Sequence, residues 1–426
     1  MRDNRNFWLY AMGRFVSLVG SGVQDVALPL FILDLTGSGI IMGTFMIVSM
    51  LPRLLLYPIA GVLGDRLNRK WIMVWMDFGR GAVILVLALL ALRNLITIPL
   101  LFGAQFVISI MNALFGPATS AMLPDIVEKD ELMRANSILM SLNSTAYIVG
   151  PALGGIIYGT GGIMAAFLIN GVSFIASGIS ELFIKYEQKV KNITNVGEIV
   201  EGLKEGLAYI KTQKGILTLM SFALVVNFLA APIFAVLYPY VMRVVIKFTA
   251  EQYGLLETSF MGGILLGNII LGAFFANKKA ENLLIKGLVF GTILLFVFAL
   301  LISPQSIAFF SGPSWEMFVA IALVSVFMGA SNAFVNTPIN VEFQQLVPTE
   351  YRARVFSVIE VMGQGIVPIG YGLVGILLDN APAHEIALAL TFLTFVSVVL
   401  FVTKYSKTVF EDFENRKKEP EVEISP

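Results

Sequence analysis

Several polar side chains stand inside long apolar stretches of this sequence, where each is costly unless it has a task or a partner. At 100° per residue, Arg14, Ser21 and Asp25 fall on one stripe of a first helix. Gln105, Ser109 and Asn112 share a stripe of a later helix, and Ser325, Asn332 and Asn336 share another. Such stripes line a cleft or a water-filled path. Asp25 is the sharpest of these candidates, a carboxylate far from either end of its run that could exchange a proton or meet a cationic group. A helix-packing hydrogen bond is its competing reading. Asp77 and Arg80, one turn apart, and Arg53 at similar depth on the preceding run read as a structural charge cluster. Glu257 and Glu360 lie near the ends of their runs, at the outer and inner face respectively, where reaching for water explains them about as well as a function does. His384 is the only histidine and falls between runs, and there is no cysteine, so neither a metal site nor a histidine proton relay is expected.

The elements that must position these residues follow from composition. Of 426 residues, 57% are hydrophobic and 14% charged, with mean hydropathy +0.82, too apolar for a chain whose main solvent is water. A membrane-crossing helix needs about 20 mostly apolar residues. Twelve such runs are predicted, at 8–33, 39–62, 71–92, 97–118, 136–158, 163–185, 215–242, 253–275, 283–303, 315–338, 356–378 and 385–404. The first is too long for a signal-peptide core and shows no cleavage site, so it is expected to remain. Of the 29 Lys and Arg, only Arg93, Arg243 and Lys247 fall in the outer segments when both termini are placed inside. Arg14, Arg53 and Arg80 lie within spans, and all the rest occupy inner segments, as positive charge retained on the cytoplasmic side requires. The net charge of zero gives no case for a nucleic-acid partner.

The fold expected is an all-α membrane protein with two six-helix bundles, at 1–185 and 215–410. Between them, 186–214 reads as a cytoplasmic linker. Its Val196, Ile199, Val200, Leu203, Leu207 and Ile210 recur at helical spacing, as in an amphipathic helix lying along the membrane face. The charged segment 411–426 reads as a disordered cytoplasmic tail. An internal repeat links the bundles. Asn112-Ala113-Leu114-Phe115 followed by Pro117 resembles Asn332-Ala333-Phe334-Val335 followed by Pro338, about 220 residues later. Arg134-Ala135 pairs with Arg352-Ala353, and Gly150-Pro151 with Val367-Pro368, at nearly the same offset.

Between the second and third runs stands Gly61-Val-Leu-Gly-Asp65-Arg66-Leu-Asn68-Arg69-Lys70. It resembles the loop signature Gly-x-x-x-Asp-Arg-x-Gly-Arg-Arg/Lys of the Major Facilitator Superfamily. Asn68 replaces the usual Gly, a mild departure because Asn tolerates a left-handed backbone. The resemblance implies that Gly61, Asp65, Arg66, Arg69 and Lys70 form a gating loop that latches the two halves on the cytoplasmic side. The corresponding loop, Gly272 to Lys279, lacks the acid, so the latch is expected to be asymmetric. In the fifth run, Gly150-Pro151-Ala-Leu-Gly154-Gly155 resembles the Gly-Pro-x-x-Gly-Gly element of that superfamily's exporters. Its small residues admit a neighbouring helix closely, and its proline removes one backbone hydrogen bond. Gly20 to Leu30 and Leu33-Asp34-Leu35-Thr36-Gly37-Ser38 resemble the first helix of macrolide-efflux-type drug exporters and of the enterobactin exporter group. Where many proton-coupled exporters carry an arginine in the fourth helix, this chain has Gln105.

The resemblance implies a secondary active transporter that exports small amphipathic molecules by alternating access, with protons as coupling ion. It implies a monomer in the cell membrane that needs no cofactor. A narrow exporter of a siderophore or other metabolite is the alternative. A membrane-embedded enzyme is a distant one, because no catalytic constellation of His, Asp, Glu or Cys is visible. A channel would need a pore filter, and none is apparent.

Overall fold

Apolar runs become helices in a membrane because only intrasegment hydrogen bonds satisfy the backbone where water is absent. The computed structural model describes residues 4–186, 197, 204–205, 207–208, 210–275, 277–347 and 349–418. In chain order the helices are α1 Arg5–Thr36, α2 Gly39–Arg66, α3 Arg69–Leu92 and α4 Ile98–Ile126. Next comes one helical stretch, Leu132–Leu182. Then follow α7 Lys214–Val245, α8 Ala250–Phe275, α9 Ala280–Leu301 and α10 Trp315–Leu346. The last two are α11, broken into Thr349–Gln364 and Val367–Leu378, and α12 Ala383–Asn415.

Among the described residues, 11 helical stretches are long and apolar enough to cross a membrane. One of them has 51 residues, which at 1.5 Å each is about 76 Å, more than twice the hydrocarbon thickness. It is divided at Gly162, whose φ of 66° lies in the left-handed region that favours glycine. Residues 132–161 form α5 and residues 163–182 form α6, so the chain crosses twelve times as predicted. It is a multi-pass membrane protein. Leu89 at 63% exposure and Phe274 at 76% are outward apolar side chains of the kind that lipid solvates.

Local chemistry sets the helix ends. Asn4 caps α1 by accepting from Phe7 N at 2.9 Å, and Ser314 caps α10 by accepting from Met317 N at 3.2 Å. Gly37, with φ 60°, closes α1 in a left-handed cap. In α7, Pro232 and Pro239 each remove a backbone donor, and π-helical turns at Ile233–Leu237 and Val241–Val245 flank Pro239.

The chain forms two compact units. The first comprises Met1–Ile199 with Tyr238–Met261, the second Val200–Leu237 with Gly262–Pro426. In the first unit, α1 packs along α5 and α6, and α6 along α3. Its cores gather Val23, Ile84, Leu101, Phe167 and Phe174 in one region, and Phe7, Tyr10, Met73 and Met122 in another. In the second unit Ile216, Leu284, Phe343, Phe401 and Phe413 share a core.

One expectation changes here. The 411–426 segment is not wholly a disordered tail: helix continues from Ser406 to Lys418. Val409, Phe410 and Phe413 bury their side chains in the second unit's core. Asp412 accepts from Gly215 N at 3.2 Å at the start of α7, and Lys279 Nζ donates to Glu414 at 2.8 Å. The apolar spacing within an otherwise charged segment is what orders it. Residues 419–426 and most of the linker lie outside the described residues, though Ile210 is buried in the same core with Leu207 packed against it.

Candidate functional site

A cavity of about 400 Å³ opens within the first unit, lined from α1, α2, α3, α4 and α6. α1 contributes Ser21, Gln24 and Asp25, α2 Ser49 and Arg53, and α4 Gln105 and Asn112. Leu28, Phe45, Met46, Ile84, Ile108 and Phe174 supply an apolar wall. Asp25 is open to this space. Its floor is held by side-chain bonds between helices. Asn170 Nδ2 donates to Gln24 Oε1 at 2.7 Å, joining α6 to α1, and Ser109 Oγ donates to Ser49 O at 3.0 Å, joining α4 to α2. Ser109 thus serves packing, while its stripe neighbours Gln105 and Asn112 face the cavity.

Arg53, expected beside Asp77 and Arg80, lines the Asp25 cavity instead and lies within electrostatic reach of that carboxylate. Glu257 is also within reach of Asp25, and Tyr253 Oη donates to its Oε1 at 2.9 Å. Sequence position alone places Glu257 near a span end and leaves reaching for water level with a function. The missed signal was Tyr253, one turn earlier, a donor that a carboxylate merely reaching for water would not need. Arg14, on the predicted stripe with Asp25, is not among the residues that line this cavity. Eleven positions along a helix separate it by about 16 Å, and its guanidinium neighbours Tyr10.

Asp77 and Arg80 form a buried ion pair on α3. Arg80 Nη1 also donates to Asn112 Oδ1 at 2.6 Å, and Nε donates to Met76 O at 3.3 Å. The guanidinium lies 4.1 Å from the ring centre of Phe115 and 4.4 Å from that of Phe174. The third charged member is Glu181 of α6, 2% exposed, within electrostatic reach of both Asp77 and Arg80. Through Asn112 this cluster touches the cavity wall.

In the second unit, Asn336 Nδ2 donates to Asn332 Oδ1 at 3.0 Å and to its carbonyl at 3.2 Å. Beside them Thr337 Oγ1 donates to Asn268 Oδ1 at 2.7 Å, linking α10 to α8. Ser325, third on that stripe, is buried.

Of the loop signature, the side chains of Gly61, Asp65 and Arg66 lie outside the described residues, as does that of Glu360. Asn68 has φ −64°, so its fitness for this position does not come from a left-handed backbone. It caps α3, accepting from Lys70 N at 3.0 Å and Trp71 N at 3.4 Å. Arg69 Nη1 pairs with Asp125 Oδ2 at 2.8 Å and Lys70 Nζ donates to Leu182 O at 2.8 Å. Tyr186 Oη donates to the same Asp125 oxygen at 2.8 Å. Burial, then this bond to a carboxylate, pushes the Tyr186 phenol up to about 12, so it remains a donor at physiological pH.

The Gly150 to Gly155 element seats α5 between two neighbours. A side chain at Gly150 would begin 3.0 Å from Gly22 Cα, and one at Gly154 2.9 Å from Val23 O, both on α1. At Gly155 it would begin 2.4 Å from Ala250 O and 3.1 Å from Gly254 Cα, at α8. Backbone cannot yield as a flexible side chain can. Gly154→Leu is therefore expected to cost about 1–3 kcal/mol and to slow transport while leaving substrate affinity nearly unchanged. Transport rate in vesicles beside ligand binding to the purified variant measures both, and normal rates would mean that α1 and α5 part freely.

Twelve crossings, two compact units and a polar cavity enclosed by helices define a membrane transporter. The chain matches the Major Facilitator Superfamily over residues 10–368 and 220–424, and it belongs to that family. It is 27% identical over 396 residues to Macrolide efflux protein A of Streptococcus pyogenes, covering 92% of this chain and 94% of that one. It is 30% identical over 336 residues to Macrolide efflux protein A of Enterococcus faecalis, covering 77% of this chain and 100% of that one. A mutant of the nucleoside transporter NupG shares the fold with TM-score 0.73 at 14% identity, over 94% of this chain and 100% of that one.

Proposed function

We propose that this protein exports small amphipathic molecules, of the macrolide type, from the cell by alternating access, driven by protons. The cavity carries this reading: a carboxylate, a guanidinium and several amides beside an aromatic and aliphatic wall suit a molecule with one polar end and a large apolar body. Likeness to two macrolide efflux proteins over most of the chain supports export as the direction. The exporter sits in the cell membrane as a monomer with both termini cytoplasmic, which puts the ends of α1 and α7 that carry Asp34 and Arg243 on the outer side. Residues 1–185 and 215–410 are its two functional halves, joined by the 186–214 linker, and Asp65 with its basic neighbours latches the cytoplasmic side. Its work is translocation, with no chemical conversion of the cargo.

The test compares a strain lacking the protein with one expressing it, against a panel of macrolides and unrelated amphipathic drugs. Raised resistance with energy-dependent efflux of a labelled macrolide is expected. Unchanged resistance across the panel, with a native metabolite accumulating in cells that lack the protein, would replace this reading with the narrow metabolite exporter.

A further inference from the structure

A second cavity, a groove of about 470 Å³, runs between the start of α7 and the end of α12, both in the second unit. From α7 come Leu217, Thr218, Ser221 and Val225, whose spacings of three and four put them on one face. Phe222 and Phe401 stack across the two helices, with ring centres 4.1 Å apart and planes 15° apart. On α12 the π-helical turn Phe401–Tyr405 shapes the wall. Five residues of regular α-helix would leave Tyr405 about 140° from Leu400. The wider π-helical turn brings both to the groove. Leu217 to Val225 and Ser397 to Tyr405 are each about 12 Å of helix, under half of the roughly 30 Å hydrocarbon thickness. The groove therefore belongs to one leaflet.

One end of the groove is basic. Lys214 stands one turn before Thr218 at the start of α7, and Lys404 directly precedes Tyr405. Both lysines are exposed, and neither pairs with a carboxylate of the described residues. Asp412, the acid brought to this end, accepts from Gly215 N, and Glu411 stands about 10 Å along the helix beyond Lys404. The hydroxyls divide in the same way. Ser221 Oγ donates to Leu217 O and Ser397 Oγ to Leu393 O, each at 2.8 Å. The hydroxyls of Thr218 and Tyr405, nearer the lysines, have no partner among the described residues. Two ammonium groups and two open hydroxyls thus stand at one end of an apolar slot.

We propose that this groove binds one anionic phospholipid, with an acyl chain along Leu217, Val225 and Leu400 and its phosphate between Lys214 and Lys404. A basic pocket between spanning helices suits an anionic headgroup, and a flexible lysine stem lets the ammonium reach it while lying along apolar surface. Tyr405 and Thr218 offer hydroxyl donors to the phosphate and the ester oxygens below it. The bound lipid would join α7 to α12 beside the Asp412 to Gly215 bond. Its place in the inner leaflet rests on the cytoplasmic termini proposed above, whereas binding itself does not.

The test titrates the full chain, purified in detergent and stripped of lipid, with palmitoyl-oleoyl phosphatidylglycerol and separately with the phosphatidylcholine of the same chains. Native mass spectrometry counts the lipids bound. One phosphatidylglycerol is expected to bind roughly thirtyfold more tightly than phosphatidylcholine, the effect of two basic side chains. Lys214→Gln with Lys404→Gln should erase that preference. Lys129→Gln with Lys286→Gln, which removes the same charge at other exposed positions, should keep it. Val225→Trp fills the apolar part of the groove and should weaken both lipids; the lysine variants, at the surface, decide the matter if it does not accumulate. Equal affinity for the two lipids, or a preference that survives loss of Lys214 and Lys404, would overturn the proposal. Displacement of phosphatidylglycerol by the macrolide erythromycin would overturn it too, by making the groove a cargo site. Binding in detergent reads neither transport nor topology, so the lipid site and the exported-drug reading fail independently.

Discussion

Asp25→Asn is expected to abolish accumulation driven by a pH gradient in inside-out vesicles, while substrate exchange between the two sides continues. Asparagine keeps the shape and hydrogen-bonding capacity of the residue at the cavity surface but removes its charge and its proton. Asp25→Glu keeps both and should retain partial active transport. The structure adds a reason for this to be the most sensitive substitution. Asp25 lies within electrostatic reach of one cation, Arg53, and one further carboxylate, Glu257. Neutralising it alters the charge balance of the whole cavity, and Gln105 contributes no charge to replace it. Uptake of a labelled macrolide at several imposed gradients measures the effect. If Asn transports like the parent at every gradient, Asp25 serves packing, and Glu257→Gln becomes the next test of coupling.

The second large effect is expected at Arg80, for reasons of stability. Arg80→Met leaves Asp77 buried at 0% exposure without its ion partner and removes the bond to Asn112. Breaking a buried pair by removing one member costs on the order of 3–5 kcal/mol. Glu181, also buried nearby, loses the same neighbouring cation, so the loss sits toward the upper end. The variant should reach the membrane in low amount and unfold at a clearly lower temperature in detergent. Adding Asp77→Leu removes one of the two stranded carboxylates and should recover part of that loss. Equal stability of Arg80→Met and the parent would show that water reaches the cluster and hydrates Asp77 directly.

These two residues also illustrate where reading along the chain succeeds and stops. Asp25 stands out in one dimension because a carboxylate so far inside an apolar run has few benign explanations. Asp77 and Arg80 stand out because an i, i+3 spacing puts them side by side on any helix. The partners Arg53, Glu257 and Glu181 lie on other helices, and which face of α2, α6 or α8 turns toward α1 or α3 is not encoded in the spacing of any single run. Arg53 is accordingly grouped by depth with Asp77 and Arg80, and Glu257 is left between reaching for water and a function. The glycines of α5 were readable as close-packing positions, whereas the identity of their neighbours, α1 on one side and α8 on the other, required coordinates.

By itself the sequence determined that this protein is helical and crosses the membrane twelve times, while its loop motif supplied the resemblance to the Major Facilitator transporters. Hydropathy acts residue by residue against a solvent slab of fixed thickness, so run length and composition suffice. Gly162 shows the same local logic, since one left-handed residue divides 51 helical positions into two crossings. Only the tertiary structure decided which polar groups share a cavity, that residues 406–418 are ordered by burying Val409, Phe410 and Phe413, and that Tyr238–Met261 packs with the first unit. Each of these depends on contacts between residues far apart in the chain, whose energies are set by the mutual fit of helix faces and not by the hydrophobicity of either face alone.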